Sequence, residues 1–140
     1  MSNPKRPIST FEDLEVWKFG AELRRQISLI CKSFPKIELY RLTDQLIRAS
    51  RSITANIAED YGRFHYQENI QYNRQARGSL YEILDHLIVA FEENYIDQSE
   101  YEDLRNQTIT TIKLVNGYIN YLKKSKTDRV KEDLIEYEVD

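Results

Sequence analysis

Apolar residues recur every three or four positions along most of this chain, which predicts four amphipathic helices. The first predicted helix begins after Ser9, because Ser9 and Glu12 have the spacing of a capping box. It ends at Pro35, which lacks an N–H group and clashes with the preceding turn of a helix. The inner face of this helix is formed by Val16, Gly20, Leu23, Ile27, Ile30 and Phe34, with Trp17 and Cys31 beside it.

The second predicted helix runs from about Glu38 to Tyr61 and has two apolar lines. The first line consists of Leu42, Leu46, Ala49, Ile53 and Ile57, and the second of Ile47, Thr54, Ala58 and Tyr61. Gly62 follows the last periodic residue, where a left-handed C-cap is most often found. Two apolar lines on one helix, and ten tyrosines in the chain, favour self-association.

The third predicted helix runs from about Tyr66 to Asn94. Its inner face is predicted to comprise Ile70, Leu80, Leu84, Leu87, Ile88 and Phe91. Asn73 and Arg77 fall on the same face, which is unusual because such side chains are mostly exposed.

The fourth predicted helix begins after Asp97, which has capping-box spacing with Glu100. It ends at Lys123-Lys124, where cations favour the negative end of the helix dipole. Its inner face is formed by Tyr101, Leu104, Thr108, Thr111, Ile112, Val115, Ile119 and Leu122.

Long helices with short connections predict an all-α protein, an up-down-up-down antiparallel four-helix bundle. We expect a single bundle over residues 11–124, preceded by an N-terminal arm over 1–10. An acidic C-terminal tail over 125–140 is expected to be loosely ordered. Four Gly and three Pro in 140 residues are few for a protein of sheets and turns, in agreement with this fold class.

The net charge of −3 is confined to the tail, which carries three basic and six acidic residues after Ser125. The rest of the chain is balanced, and this argues against tight nucleic-acid binding by one isolated chain. No apolar run is long enough to span a bilayer, so we expect a cytoplasmic protein without a membrane partner. Cys31, the one cysteine, is predicted to be a small buried hydrophobe.

The residue patterns of known enzymes and metal sites are missing. His65 and His86 lie in no zinc or di-iron motif, and no serine lies in a nucleophile elbow. We therefore expect no metal, no cofactor and no enzymatic activity. The alternative that stays open is a general acid or base at Glu59, with no second catalytic group placed by the sequence.

Asn56 and Glu59 are three residues apart, so they share one face of the second helix. We expect them to hydrogen-bond neighbouring helix ends or a partner subunit.

Five arginines are the candidate nucleic-acid contacts: Arg48, Arg51, Arg63, Arg74 and Arg77. Antiparallel packing could bring several of them together, near Tyr66 and Tyr72. Arginine with aromatic residues can hold phosphate and stack on bases. The same arginines could instead pair with acidic residues across a subunit interface, and we weigh this alternative slightly ahead.

Three blocks of the chain resemble a known family in the right order and spacing. They are "FEDLEVWKFG", "FPKIELYRLTDQLIRASRSITANIAEDYGR" and "ARGSLYEILDHLIVA". They look like the four-helix-bundle proteins encoded by intervening sequences in bacterial 23S rRNA genes, the S23-type family. More distantly, the chain is similar to the accessory variability determinant proteins of diversity-generating retroelements. The resemblance covers roughly residues 11–124.

The resemblance implies a ring-like homopentamer of four-helix bundles. It also implies RNA or DNA as a partner, or, by the retroelement relatives, a reverse transcriptase. Arg77 and the small pair Gly78-Ser79 match the family block, and small residues there would let a neighbouring helix approach closely.

The chain departs from the family pattern at two places. Thr54 and Asp60 stand where the family usually has proline and glycine, and we expect Asp60 to add a charge near the arginines. The segment before "ARGS" is also more polar than usual, at Asn69, Asn73 and Gln75. These residues could mark a modified interface or a polar surface with its own partner.

These observations favour a non-catalytic oligomeric bundle, a nucleic-acid-binding or ribonucleoprotein accessory factor. The second hypothesis is a protein-binding scaffold, such as an accessory subunit of a reverse transcriptase.

Overall fold

Four helices make up the body of the protein. The computed structural model describes residues 10–62 and 66–139, with side chains for 10–62 and 67–125. The helices are α1 (Glu15–Cys31), α2 (Leu42–Tyr61), α3 (Tyr66–Glu92) and α4 (Gln98–Val139). Short 3₁₀ turns lie at Phe11–Asp13 and Lys36–Glu38, and none of the described residues forms a strand. The predicted all-α four-helix bundle is confirmed.

Each helix packs on the next along the chain, and α1 also packs on α4. The core between them contains one continuous cluster of buried apolar side chains. Its fully buried large members are Leu23, Ile27, Leu46, Ile53, Ile57, Leu80, Ile83, Leu87 and Val115. The predicted inner faces of α1 and α4, and the first apolar line of α2, are therefore confirmed.

Polar bonds between helices fix how the neighbours are aligned. Arg24 of α1 donates from Nη1 to Thr54 Oγ1 of α2 at 2.8 Å. Ser79 of α3 donates to Ser52 Oγ of α2 at 3.0 Å. Such bonds add little net stability each, but they specify which turns of two helices face each other.

The start of the first helix lies later than predicted. Thr10 Oγ1 accepts from the backbone N–H of Glu12 at 3.1 Å, and Asp13 accepts from the Thr10 N–H at 3.4 Å. This capping box closes a 3₁₀ turn, after which Leu14 is extended and α1 begins at Glu15. The predicted cap at Ser9 lies outside the described residues.

The connection between α1 and α2 is longer than the sequence predicted. Helix α1 ends at Cys31 rather than at Pro35, and α2 begins at Leu42 rather than near Glu38. Phe34 is buried all the same, because the turn folds its ring back against Tyr95, with ring centroids 5.4 Å apart. The predicted left-handed cap at Gly62 is wrong, since its φ of −80° and ψ of −2° are right-handed.

The inner face of α3 differs from the prediction. Ile70, Leu80 and Leu87 are buried as expected, but Ile88 is 42% exposed and Phe91 is 36% exposed. Phe91 stacks instead on Tyr101, with ring centroids 4.8 Å apart. The buried positions follow one another at steps of three or four residues and are Ile70, Asn73, Ala76, Leu80, Ile83, Leu87 and Ala90.

Helix α4 starts as predicted and ends later. The Asp97 and Glu100 capping box is present, with the Glu100 N–H donating to Asp97 Oδ1 at 2.7 Å. The helix continues past Lys123-Lys124 to Val139, so the predicted end is wrong. The division of the chain into arm, bundle and loosely ordered tail stays a prediction.

Candidate nucleic-acid interface

A groove of about 500 Å³ lies where α3 runs beside the later part of α4. It is lined by Gln67, Glu68, Ile70, Gln71, Arg74 and Lys123. The α3 residues recur at helical spacing and so form one side of the groove, while Lys123 comes from the other helix. Among the described lining residues, two cations and two amides against one carboxylate give a surplus of positive charge and of hydrogen-bond donors.

The candidate arginines are divided between different parts of the surface. Arg48 is exposed on α2, and its Nε atom lies 3.9 Å from Oδ1 of Asp44 on the same helix. Arg51 is also exposed on α2. Arg77 is half-buried and donates to Asn116 Oδ1 of α4 at 2.9 Å. Of the four candidate arginines that the structure describes, Arg74 alone lines the groove described above.

Arg63 lies outside the described residues. Whether any of the five arginines contacts nucleic acid stays a prediction. The contacts favour Arg74 for that role, because Arg77 already serves as a link between α3 and α4.

Asn56 and Glu59 have different surroundings, although they share a face. Asn56 donates to the Ser52 backbone carbonyl at 2.8 Å and to Ser52 Oγ at 3.0 Å, both on its own helix. Through Ser52 it is linked to Ser79 of α3 rather than to a helix end. Glu59 is exposed beside Ala58, in a shallow groove of about 610 Å³.

Gly62 and Gly78 are the two glycines that the sequence singled out. Gly62 lines the shallow groove with Glu59. A Cβ atom at Gly78 would meet no heavy atom within 4 Å, so no helix of the same chain requires a glycine there. The close approach implied for this position is not made by the described residues, and it stays a prediction.

Asp60 does not contribute surface charge, contrary to the expectation. It is only 2% exposed, at the end of the buried line of α2. Burial raises the pKa of the Asp60 carboxyl, and hydrogen bonds from Asn73 and Tyr118 oppose part of that rise. Burial also raises the pKa of the Tyr118 hydroxyl, and the neighbouring Asp60 charge adds to the effect.

The other titratable residues that the sequence singled out, His86 and Cys31, have structural contacts. His86 is paired with Glu82, with Nε2 and Oε1 3.3 Å apart, and His65 lies outside the described residues. Cys31 is buried, and this raises the pKa of its thiol to about 11, as expected of a small hydrophobe. Among the side chains of residues 10–62 and 67–125, no three His, Cys, Asp or Glu residues come together as a metal site. No helix in that part of the chain is both long and apolar enough for a membrane span.

Comparison with known families identifies the protein's relatives. The family model described as "23S rRNA-intervening sequence protein" matches residues 12–117. The chain belongs to this family. The resemblance of the three sequence blocks is thereby confirmed for the S23-type family.

A similar solved structure supports the fold. It is a protein with unknown function from the S23 ribosomal protein family of Bacteroides thetaiotaomicron, with a TM-score of 0.69 and 23% sequence identity. The match covers 74% of this chain and 97% of that one. No curated protein matches the chain.

Sequence reasoning missed Lys123 and the buried role of Asp60. Lys123 was interpreted only as the end of a helix, and its place in the groove depends on how α4 is aligned with α3. Asp60 carried a usable signal, because it falls three residues after Ile57 on the buried line through Ile53. A carboxylate on that line was the indication of a buried acid.

Proposed function

We propose that this family member is a non-catalytic helical-bundle protein that binds the nucleic-acid backbone, as an accessory factor of a ribonucleoprotein in the cytoplasm. The observation that supports the proposal best is the groove that both Arg74 of α3 and Lys123 of α4 line. Arginine and lysine supply most of the affinity of proteins for phosphates.

The surroundings of the groove suit a flexible polynucleotide. Gln67 and Gln71 offer amide donors for phosphate or sugar oxygens. Tyr121 is 63% exposed on α4, two residues before Lys123, and its ring stacks on Tyr118. Exposed aromatic rings beside cations are a common platform for unpaired bases. The burial of Asp60 supports the proposal further, since it removes an expected negative charge from this end of the bundle.

Self-association would add to the binding. The homopentamer implied by the family resemblance is part of the proposal. Five copies of the groove would raise the effective affinity of a subunit whose own net charge is −3.

Arg74→Gln is expected to weaken binding to RNA and DNA of different sequences by a similar factor. The slope of log K against log salt should fall by about 0.7 to 0.9 for the lost cation. Lys123→Gln should have the same effect. Arg105→Gln is the matched control, because Arg105 is exposed at the beginning of α4, away from the groove. Fluorescence anisotropy across a salt series measures all four proteins.

Two results would contradict the proposal. One is the absence of any salt-sensitive binding at low salt. The other is an equal loss of affinity in Arg105→Gln, which would show that net charge, rather than binding in the groove, determines the affinity.

A second candidate function, a protein-binding scaffold, has support at the other end of the bundle. The connection between α1 and α2 exposes three apolar side chains within four residues, Ile37 at 65%, Leu39 at 52% and Tyr40 at 88%. Clustered exposed apolar residues mark protein-interaction surfaces more often than isolated ones do. A further copy of this chain, or a protein such as a reverse transcriptase, would cover them.

The double substitution Leu39→Ser with Tyr40→Ser is expected to reduce the assembly toward the 16.7 kDa mass of one chain. Leu29→Ser is the control, since Leu29 is 55% exposed but lies on α1 outside this connection. Light scattering at micromolar concentration gives the mass, and circular dichroism checks that the helices persist. A wild-type mass of one chain would rule out self-association. Unchanged assembly of the double variant would place the interface elsewhere.

A further inference from the structure

A cluster of three buried or half-buried polar side chains joins α2, α3 and α4. Asp60 is 2% exposed at the end of α2, and Asn73 of α3 is fully buried. Tyr118 of α4 completes the set, which we call the Asp60 cluster. Its members come from three helices, so its hydrogen bonds hold one end of the bundle together.

The hydrogen bonds of Asn73 leave one atom without a donor. The Asn73 Nδ2 group donates to the Asn69 carbonyl at 2.9 Å, and the Asn73 amide also bonds the Asp60 carboxyl. These two bonds use both amide hydrogens. Asn73 Oδ1 is buried and has no donor among the described residues.

The Asp60 carboxyl also has one oxygen without a hydrogen-bond donor. Its carboxyl accepts from Asn73 and Tyr118, yet Oδ2 is buried without a donor among the described residues. An ionised carboxylate has no hydrogen to give, whereas a neutral carboxylic acid has one O–H donor. A carboxylic acid and an amide can bond side by side through two hydrogen bonds, and one proton on Oδ2 would complete that pair.

We propose that Asp60 is a neutral carboxylic acid in the folded bundle and that its Oδ2–H donates to Asn73 Oδ1, so that loss of this proton loosens the junction of α2, α3 and α4. The proposal satisfies both unpaired oxygens with one hydrogen. It also explains how an acid and an amide occupy core positions together, since a buried polar group is tolerated only when it is hydrogen-bonded.

The charged and titratable groups around Asp60 do not favour its ionised form. On α2 the neighbours are Glu59 and Tyr61, and α4 contributes Tyr118 and Tyr121. The 3₁₀ turn Phe11–Asp13 also packs on α2, and its charged residues are the carboxylates Glu12 and Asp13. From α3 the Asn73 amide bonds the Asp60 carboxyl, and Asn69 contributes only its backbone carbonyl, which accepts from Asn73. None of these groups, all from the described part of the chain, is a cation, and burial raises the pKa of the Asp60 carboxyl.

The direction of the pH effect follows from that rise in pKa. At pH values between the ordinary pKa of an aspartate and the raised pKa of Asp60 in the folded chain, Asp60 holds its proton in the folded chain and loses it in the unfolded chain. Stability is therefore greatest below the ordinary value of 3.8, as far as Asp60 alone is concerned, and it falls as the pH rises through the folded pKa. A difference of one pKa unit between the two states changes the folding equilibrium constant about tenfold.

The decisive experiment combines a titration with a substitution that mimics the neutral acid. The carboxyl carbon of Asp60 is followed by NMR over pH, and urea unfolding is measured over the same range for the wild type, Asp60→Asn and Asp60→Ala. Asp85→Asn is the matched control, because Asp85 is exposed on α3. Asparagine at position 60 can donate to Asn73 Oδ1 at every pH.

We expect Asp60 to titrate above 3.8. Asp60→Asn should unfold at the same or a higher urea concentration than the wild type at neutral pH, and it should lose the fall in stability with pH. Asp60→Ala should be less stable than Asp60→Asn throughout. Titration of Asp60 at or below 3.8, or a neutral-pH loss of stability in Asp60→Asn, would overturn the proposal. No nucleic acid enters these measurements, so their outcome is independent of the proposed function.

Discussion

Ile83→Ala is expected to lower the free energy of unfolding by about 2–5 kcal/mol, the usual range for removing a large aliphatic side chain from a core. Ile83 is fully buried in α3, where the truncation leaves a cavity that its neighbours can only partly fill. The same substitution at Ile88 removes a side chain that is 42% exposed on the same helix. We expect it to cost about 1 kcal/mol or less, since much of that side chain already contacts water.

Urea unfolding of the two variants beside the wild type measures this difference. The pair is matched in residue type, in helix and in the atoms removed, so helix propensity cancels in the comparison. If Ile88→Ala cost as much as Ile83→Ala, α3 would be rotated from the orientation described, toward the face that the sequence predicted.

The faces of α1, the first line of α2 and α4 could be predicted because large aliphatic residues occupy most of their buried positions. In helix α3, large apolar residues do not separate the buried face from the exposed one. Its buried positions include Asn73, Ala76 and Ala90, while Ile88 and Phe91 lie on its exposed side. A sequence pattern identifies a face by hydrophobicity alone, so a small or polar buried residue next to a large exposed one shifts the predicted face.

The candidate site depended on information that spacing along one helix does not contain. The prediction placed the arginines together by their nearness in the chain and by antiparallel packing. The contacts of these arginines depend on how α3 is rotated and aligned against α4. This packing directs Arg77 to Asn116, and it brings Arg74 and Lys123 to the same groove. Sequence reasoning thus identified Arg74 as a candidate but not its partner.

Two of the departures from the family pattern, Asp60 and Asn73, have a common cause. In the sequence, Asp60 and Asn73 are separate polar residues, one in place of a glycine and one in a segment that is usually more apolar. In the structure they hydrogen-bond each other at the junction of α2 and α3. Each makes the other tolerable in the core, because an isolated buried acid or amide would lack a partner. This compensation could not be predicted without knowing that the two positions meet.

Gly20→Leu is expected to destabilise the bundle by about 1–3 kcal/mol, the usual range for overpacking a core. A Cβ atom at Gly20 would lie 3.0 Å from Ile53 Cγ2, so α1 and α2 approach too closely for a larger side chain. Replacing glycine within a helix otherwise favours folding by about 1 kcal/mol, which offsets part of the loss. Gly117→Leu is the matched control on α4, where a Cβ atom would meet nothing within 4 Å.

Thermal and urea unfolding should therefore give opposite signs for the two leucine variants. Gly117→Leu should equal or exceed the wild type in stability, because it gains helix propensity without a clash. The double variant Gly20→Leu with Ile53→Ala should lose less free energy of unfolding than the two single variants together, since the truncated side chain makes room for the new one. Additive losses, or a Gly20→Leu variant as stable as the wild type, would show that Ile53 does not limit the approach of the two helices. Because Ile53 belongs to the first apolar line of α2, the cycle also tests the packing that positions Asp60 two turns further along the same helix.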